Sequence, residues 1–302
     1  MNSTLPVTER ENPKTAQIDT ASTIEAVRML NEEDKGVPFA VEKVLPKVTE
    51  VIDRIVERLV DGGRLFFVGT GTSGRLGVLD ASEIPPTYGV SYEMVQGIIA
   101  GGYDALYQAT ESSEDDRDAA IADLNSRGIR SGDAVVGIAA SGRTPYTIGA
   151  IEHARAMGCF TAAIVCNPDS SLEAAAETAI VPLVGPEAIT GSTRMKAGTA
   201  QKLILNMIST VAMIRLGYVS GNRMTNMKAS NEKLRDRSLR ILKAETGADD
   251  AEAANLLAAA CNDLRTALVM RLAGVGCEEA EKALSATSFV VEEAVENLRT
   301  GK

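Results

Sequence analysis

Between Gly69 and Gly74 the chain reads GTGTSG, straight after the apolar run Leu65–Val68. A turn of this make offers backbone N–H groups and hydroxyl donors without bulk, which suits it to cradling an anion. The stretch fits GxGxxG, and Glu93 stands roughly 20 residues on, so a dinucleotide is one candidate ligand. Two features count against it. The helical pattern after Gly74 reads as short, running into Pro85-Pro86, and Thr70, Thr72 and Ser73 are more hydroxyls than a pyrophosphate turn needs. A second loop decides. Ala140-Ser141-Gly142-Arg143-Thr144-Pro145 follows another apolar run, Asp133–Ala139, and Pro145 suits the first turn of a helix. Either loop alone could be an ordinary helix cap. Together, with Arg143 alongside, they favour one compact phosphate held between two helix N-termini.

Candidate proton-transfer groups are few. The single histidine, His153, lies mid-helix in IGAIEHARAMG and reads as structural, so carboxylates must carry any acid–base step. Glu83 closes the helical pattern that begins at the first loop. Flanked by Ala81 and Ile84 and stiffened by Pro85-Pro86, it is expected to be sheltered. Glu114 sits in the acid run Thr110 to Asp118, where Ser112 or Ser113 would cap a helix whose first turn collects acids. A third turn, Gly191-Ser192-Thr193-Arg194-Met195-Lys196, opens the longest amphipathic helix. Ser192 and Thr193 are expected to cap it, and Arg194 and Lys196 to help hold an anion.

The elements that must position these loops alternate. Strands are expected at Arg64–Val68, Tyr92–Gln96, Asp133–Ala139, Phe160–Cys166 and Ala179–Leu183, with helices over Asp115–Arg127, Pro145–Gly158 and Arg194–Leu216. Such alternation predicts an α/β fold, a parallel sheet between two helical layers, with ligands at the carboxyl ends of the strands. Ahead of it lie a polar arm over residues 1 to about 40, with one short helix near Ser22 to Asn31, and a helix over Val41 to Val60 ended by Asp61-Gly62-Gly63. Behind it, Lys243 to Leu298 reads as three or four alanine-rich helices. The expected division is 1–240 for the phosphate-binding domain with its arm and 241–302 for a helical C-terminal domain.

With 302 residues and 45% hydrophobic content the chain can bury a large core, and its net charge of −10 argues against nucleic acid and anionic membrane surfaces as partners. Cys159, Cys166, Cys261 and Cys277 show no metal-like spacing and read as reduced thiols of a cytoplasmic protein. No secretion signal, membrane span, metal or cofactor is expected.

Paired Ser/Thr-rich loops after parallel strands resemble the sugar isomerase (SIS) phosphosugar-binding domain. More narrowly, GTGTSGRLGVLDASEIPPTYG, AASGRTPY and GPEAITGSTRMKAGTAQKLILN resemble the motifs of the N-acetylmuramic acid 6-phosphate etherases, and TERENPKT and NEKLRDR also fit. The resemblance implies a three-layer αβα sandwich with a five-stranded parallel sheet. It implies a metal-free, nucleotide-free lyase that removes D-lactate from the sugar phosphate in peptidoglycan recycling. It aligns Glu83 and Glu114 with the two catalytic carboxylates, Glu83 as proton donor to the leaving oxygen and Glu114 as base at C2, with the roles exchangeable. Substrate contacts fall on Thr70, Thr72, Ser73, Gly74, Ser141, Gly142, Arg143, Thr144, Ser192, Arg194 and Lys196. A homodimer is implied because SIS-type domains commonly pair. Two other readings share the cradle: an aldose–ketose isomerase, and a non-catalytic sugar-phosphate sensor like the glucokinase-regulating relative.

Overall fold

The computed structural model describes residues 5–108, 113–226 and 232–301. They group into two compact units, one running to Ser82 and over Tyr92–Thr210, the other Glu83–Ser91 with Val211 onward.

The first unit is built on five parallel strands, β1 Leu65–Gly69, β2 Val95–Ile99, β3 Ala134–Ile138, β4 Phe160–Ile164 and β5 Thr178–Ile180, in the order β2-β1-β3-β4-β5. All residues of β1, β3 and β4 are buried, as parallel strands covered on both faces require. The helices are α1 Thr23–Asp34, α2 Gly36–Glu42, α3 Leu45–Val60, α4 Gly71–Tyr88, α5 Arg117–Ser126, α6 Pro145–Ala156, α7 Ser171–Ala175 and α8 Lys196–Arg215. Side chains alternate across the sheet with period two. Phe66, Val68 and Val135 share a core with Leu124 of α5 and Tyr146 and Ile151 of α6. Phe67 and Ile138 point the other way, against Gly77 of α4.

Several elements differ from expectation for local reasons. β2 starts at Val95, three residues later than expected, because Tyr92 is exposed while Val95, Ile98 and Ile99 are buried. β5 ends before Pro182, which has no N–H for a ladder. The expected helix over 41–60 is two helices. The ring of Pro46 would clash with the carbonyl of Glu42, so α2 stops there and α3 begins with Pro46 in its first turn. Ser112 lies outside the described residues; α5 is capped by Asp116, whose carboxylate accepts the Ala119 N–H at 2.9 Å.

The largest correction concerns α4. It does not stop at Glu83 but continues through Pro85 and Pro86 to Tyr88. The hydrogen-bond ladder resumes past the prolines with the Gly89 N–H donating to the Pro85 carbonyl at 2.8 Å. α4 is therefore 18 residues long, and a short helix no longer speaks against a dinucleotide. Glu93 does so instead. It precedes β2, at the end of the sheet opposite the first loop, where it cannot meet a ribose bound at the strand C-termini.

The second unit carries α9 Glu232–Thr246, α10 Asp250–Ala259, α11 Leu264–Ala273, α12 Cys277–Ala286 and α13 Val291–Thr300. Its core includes Leu242, Leu257, Leu264, Leu268, Leu284 and Val295. Among the described residues four of these, α10 to α13, lie within Lys243–Leu298, where three or four were expected, and α9 enters the stretch only with its last turn. A break at Cys261-Asn262, both at positive φ, separates α10 from α11, which Asp263 caps by accepting from Arg265 and Thr266 N–H groups. α9 runs across residue 240. Among the described residues no helix is long and apolar enough to cross a membrane.

Candidate functional site

The two hydroxyl loops leave neighbouring strands at matching height, since Gly69 and Ile138 are register partners of β1 and β3. After β1 the chain turns toward β2 on one side; β3 lies on the other. The loops therefore flank the point where chain direction around the sheet reverses, where α/β sheets bind ligands.

The first loop is folded tightly onto its strand. The Gly74 N–H donates to the Thr70 carbonyl at 2.9 Å, and a Cβ on Gly74 would lie 2.6 Å from the Gly69 carbonyl oxygen. Only glycine fits there. Thr70 is buried; Thr72 and Ser73 are half-buried in the first turn of α4, where N–H groups lack intrahelical partners. In the second loop the Ser141 hydroxyl accepts the Arg143 N–H at 3.2 Å. Gly142 has φ +67°, and a side chain there would strike Ser170. Thr144 is the N-cap of α6, yet its hydroxyl makes no capping bond. Arg143 is exposed.

Glu114 stands between the loops. Its carbonyl accepts the Tyr146 N–H of α6 at 3.0 Å, and its Oε1 lies 3.3 Å from where a Cβ on Gly71 would sit. The structure thus brings Glu114 to the start of α4 and to the start of α6 at once. Glu83 belongs to the part of α4 that groups with the second unit, more than three turns beyond Gly71. It is exposed, not sheltered. The apolar neighbours that suggested shelter define the opposite face: Ala81, Ile84, Pro85 and Tyr88 are buried at helical spacing, which leaves Ser82 and Glu83 outside.

The third turn also differs from expectation. Ser192 and Thr193 do not cap α8. Glu187, fully buried, does so by accepting the N–H groups of Lys196 and Ala197, each at 2.9 Å. A carboxylate therefore already takes the free N–H groups of this helix terminus. Burial raises the Glu187 carboxyl above its ordinary range, with the two N–H bonds opposing. Lys196 does not present a free ammonium either. It is 3% exposed, and its Nζ lies 2.6 Å from Glu33 Oε2. Arg194 remains exposed and Ser192 half-exposed. The Ser73 hydroxyl donates to Gln201 Oε1 at 2.9 Å, tying α4 to α8. His153 pairs with Asn125 at 2.9 Å, away from either loop.

Sequence reading missed Glu187, Glu33 and the arm residues that join them. Glu33 lies in the charged run NEED and looks like surface; Glu187 is an isolated acid after Gly185-Pro186, the one visible hint. Chemically, the loops present hydroxyl and N–H donors, groups suited to an anion, and the Glu114 carboxylate, a group able to exchange a proton, lies beside them.

The glucokinase regulatory protein N-terminal SIS domain family matches residues 47–155. An N-acetylmuramic acid 6-phosphate etherase of Symbiobacterium thermophilum is 58% identical, the match covering 89% of each chain. One from Pasteurella multocida is 49% identical over 96% of each. A solved structure from Bacteroides fragilis, assigned as a phosphosugar isomerase of capsule formation, is 19% identical with a TM-score of 0.50 over 67% of this chain and 95% of its own. It supports the fold alone.

Proposed function

The chain belongs to the N-acetylmuramic acid 6-phosphate etherase family, and on that premise we propose the reaction its site performs and the residues that perform it. It is a carbon–oxygen lyase acting on N-acetylmuramic acid 6-phosphate. The phosphate lies between the two loops, met by Thr70, Thr72, Ser141, Gly142 and Thr144, with Arg143, Ser192 and Arg194 as the outer contacts. The open-chain C1 aldehyde acidifies the C2 proton. Glu114 removes it, the ether bond at C3 breaks, and the departing oxygen takes a proton from Glu83, releasing D-lactate. Water then adds at C3 of the unsaturated sugar and leaves N-acetylglucosamine 6-phosphate. The two glutamates could exchange roles. The observation that carries this reading is Glu114 held between two loops that spring from register-paired strand ends. The setting is a cytoplasmic homodimer working in amino-sugar recycling.

The test is direct. Purified protein mixed with N-acetylmuramic acid 6-phosphate should release free D-lactate, and Glu114→Gln and Glu83→Gln should each lower kcat at least about 100-fold while keeping the fold. Interconversion of a hexose phosphate without lactate would make it an isomerase. Binding of the sugar phosphate with no turnover at all would make it a sensor.

A further inference from the structure

The N-terminal arm makes two buried polar connections, and they lead to different loops. At one end the Thr8 N–H donates to Asn167 Oδ1 at 3.2 Å, and Asn167 Nδ2 donates both to the Thr8 hydroxyl at 2.8 Å and to the carbonyl of Ala140 at 3.3 Å. Ala140 opens the second loop. At the other end Asn12 Nδ2 donates to Glu33 Oε2 at 2.7 Å, and Lys14 Nζ lies 3.0 Å from Glu33 Oε1. Glu33 in turn holds Lys196 at 2.6 Å, in the first turn of α8. That turn rests on the first loop: a Cβ on Gly198 would be 3.4 Å from the Thr72 methyl, and Gln201 receives the Ser73 hydroxyl. The arm also grips the segment leading into α8, with the Thr15 hydroxyl donating to the Ala188 carbonyl at 2.7 Å.

We propose that the arm is a strap whose two buried anchors, Thr8–Asn167 and Asn12–Glu33–Lys196, set the spacing of the two phosphate loops, so that these are positioning residues for the sugar-phosphate site. The proposal rests on the reading of the loops as the phosphate cradle. Stability is a weak reason for the Glu33–Lys196 pair, because desolvation commonly cancels the gain of a buried ion pair and apolar replacements are often neutral. Fixing one arrangement of adjoining elements is a better one. Glu33 lies between a strap that could otherwise lift and a helix whose first turn borders the ligand. Asn12 and Lys196 both donate to Oε2 of its carboxylate, and Oε1 makes no hydrogen bond but faces the Lys14 ammonium at 3.0 Å. Lys196 then acts on the ligand through α8 and not by touching it.

The experiment measures the dissociation constant of N-acetylglucosamine 6-phosphate by calorimetry, alongside KM, kcat and Tm, for wild type and for Asn12→Ala, Thr8→Val, Lys196→Met and the charge-swapped Glu33→Lys/Lys196→Glu. The first two lie outside the loops and remove hydrogen bonds without burying an unpaired charge. Each is expected to weaken sugar-phosphate binding and raise KM about tenfold, with kcat within about threefold of wild type, since a displaced cradle loses binding shared by ground and transition states. Lys196→Met should do the same or more, and the swapped pair should recover part of that loss. Variants with a lowered Tm but unchanged binding would show that the arm only stabilises and would overturn the proposal. If Lys196 touches the phosphate itself, Asn12→Ala and Thr8→Val leave binding intact while the swapped pair abolishes it, which also overturns it. Because binding of the product needs no turnover, an absence of lactate release in the wild type would count against the proposed reaction and leave this comparison readable. Should the swapped protein fail to fold, the two arm variants decide alone.

Discussion

Glu33 shows how much of this molecule's chemistry is settled at single side chains. Burial alone would raise its carboxyl. The hydrogen bonds from Lys196, Lys14 and Asn12 and the nearby Lys196 charge outweigh that and hold it down to about 2. A carboxyl whose folded value lies below its unfolded value contributes stability that is complete above the unfolded value and declines as pH falls toward the folded one. The window here is from the ordinary carboxylate value of 4.5 down to about 2. In Glu33→Gln that contribution is missing at every pH. The Tm gap between wild type and this variant should therefore be widest near neutral pH and shrink steadily between about pH 4.5 and pH 3. Calorimetric melts across that range check it; a gap independent of pH would mean that Glu33 is not ionised against Lys196. Cys166 makes the contrast: burial pushes its thiol up to about 12, and no partner offsets it.

At the scale of elements, the loops depend on positions where a side chain cannot enter. Gly142 combines φ +67° with a Cβ site 2.2 Å from Ser170 Oγ, and its carbonyl accepts the Leu172 N–H at 2.9 Å. Gly142→Ala is expected to cost about 1–3 kcal/mol from backbone strain and collision together, and to raise KM more than it lowers kcat. Thermal melts with steady-state kinetics test both; a variant with unchanged Tm would mean that the loop opens at no cost. Much of this level was legible in the chain. The placing of the two glycine-hydroxyl turns between a strand and a helix, the alternation of strand and helix, and Pro145 at a helix start all read correctly, because each is dictated by nearest neighbours. What escaped is non-local. The cap of α8 comes from Glu187, nine residues upstream, whereas local reasoning offered Ser192 and Thr193. The prolines at 85 and 86 looked like a stop because a breaker is judged by its own neighbourhood, while α4 continues on the buried face formed by Ala81, Ile84, Pro85 and Tyr88. Glu114 is the middle case. Its acid run reads as a helix start, which it nearly is, but its place between two loops depends on the register of β1 and β3.

At the scale of the whole molecule, the charge balance sets the conditions under which the cradle operates. The chain carries 41 acidic and 31 basic residues, a net −10, and the proposed substrate is itself an anion with a phosphate and a carboxylate. The long-range field therefore opposes approach, while in the proposed site attraction comes from oriented N–H groups, hydroxyls and nearby cations such as the exposed Arg143 and Arg194. These act over different distances. The field of many surface charges is screened once the Debye length falls to about 10 Å, whereas donors within hydrogen-bond reach of the phosphate are hardly affected. Raising salt from about 10 mM to about 150 mM should consequently leave kcat unchanged and increase kcat/KM, by up to about threefold. Sodium chloride is the suitable salt, since phosphate or sulfate would compete for the cradle. A steep fall in kcat/KM over the same range would mean that the exposed arginines supply most of the attraction, and that the hydroxyl loops are secondary. Repeating the titration with Arg143→Gln separates the two: if the loops dominate, the variant shows the same rise as wild type from a modestly higher KM.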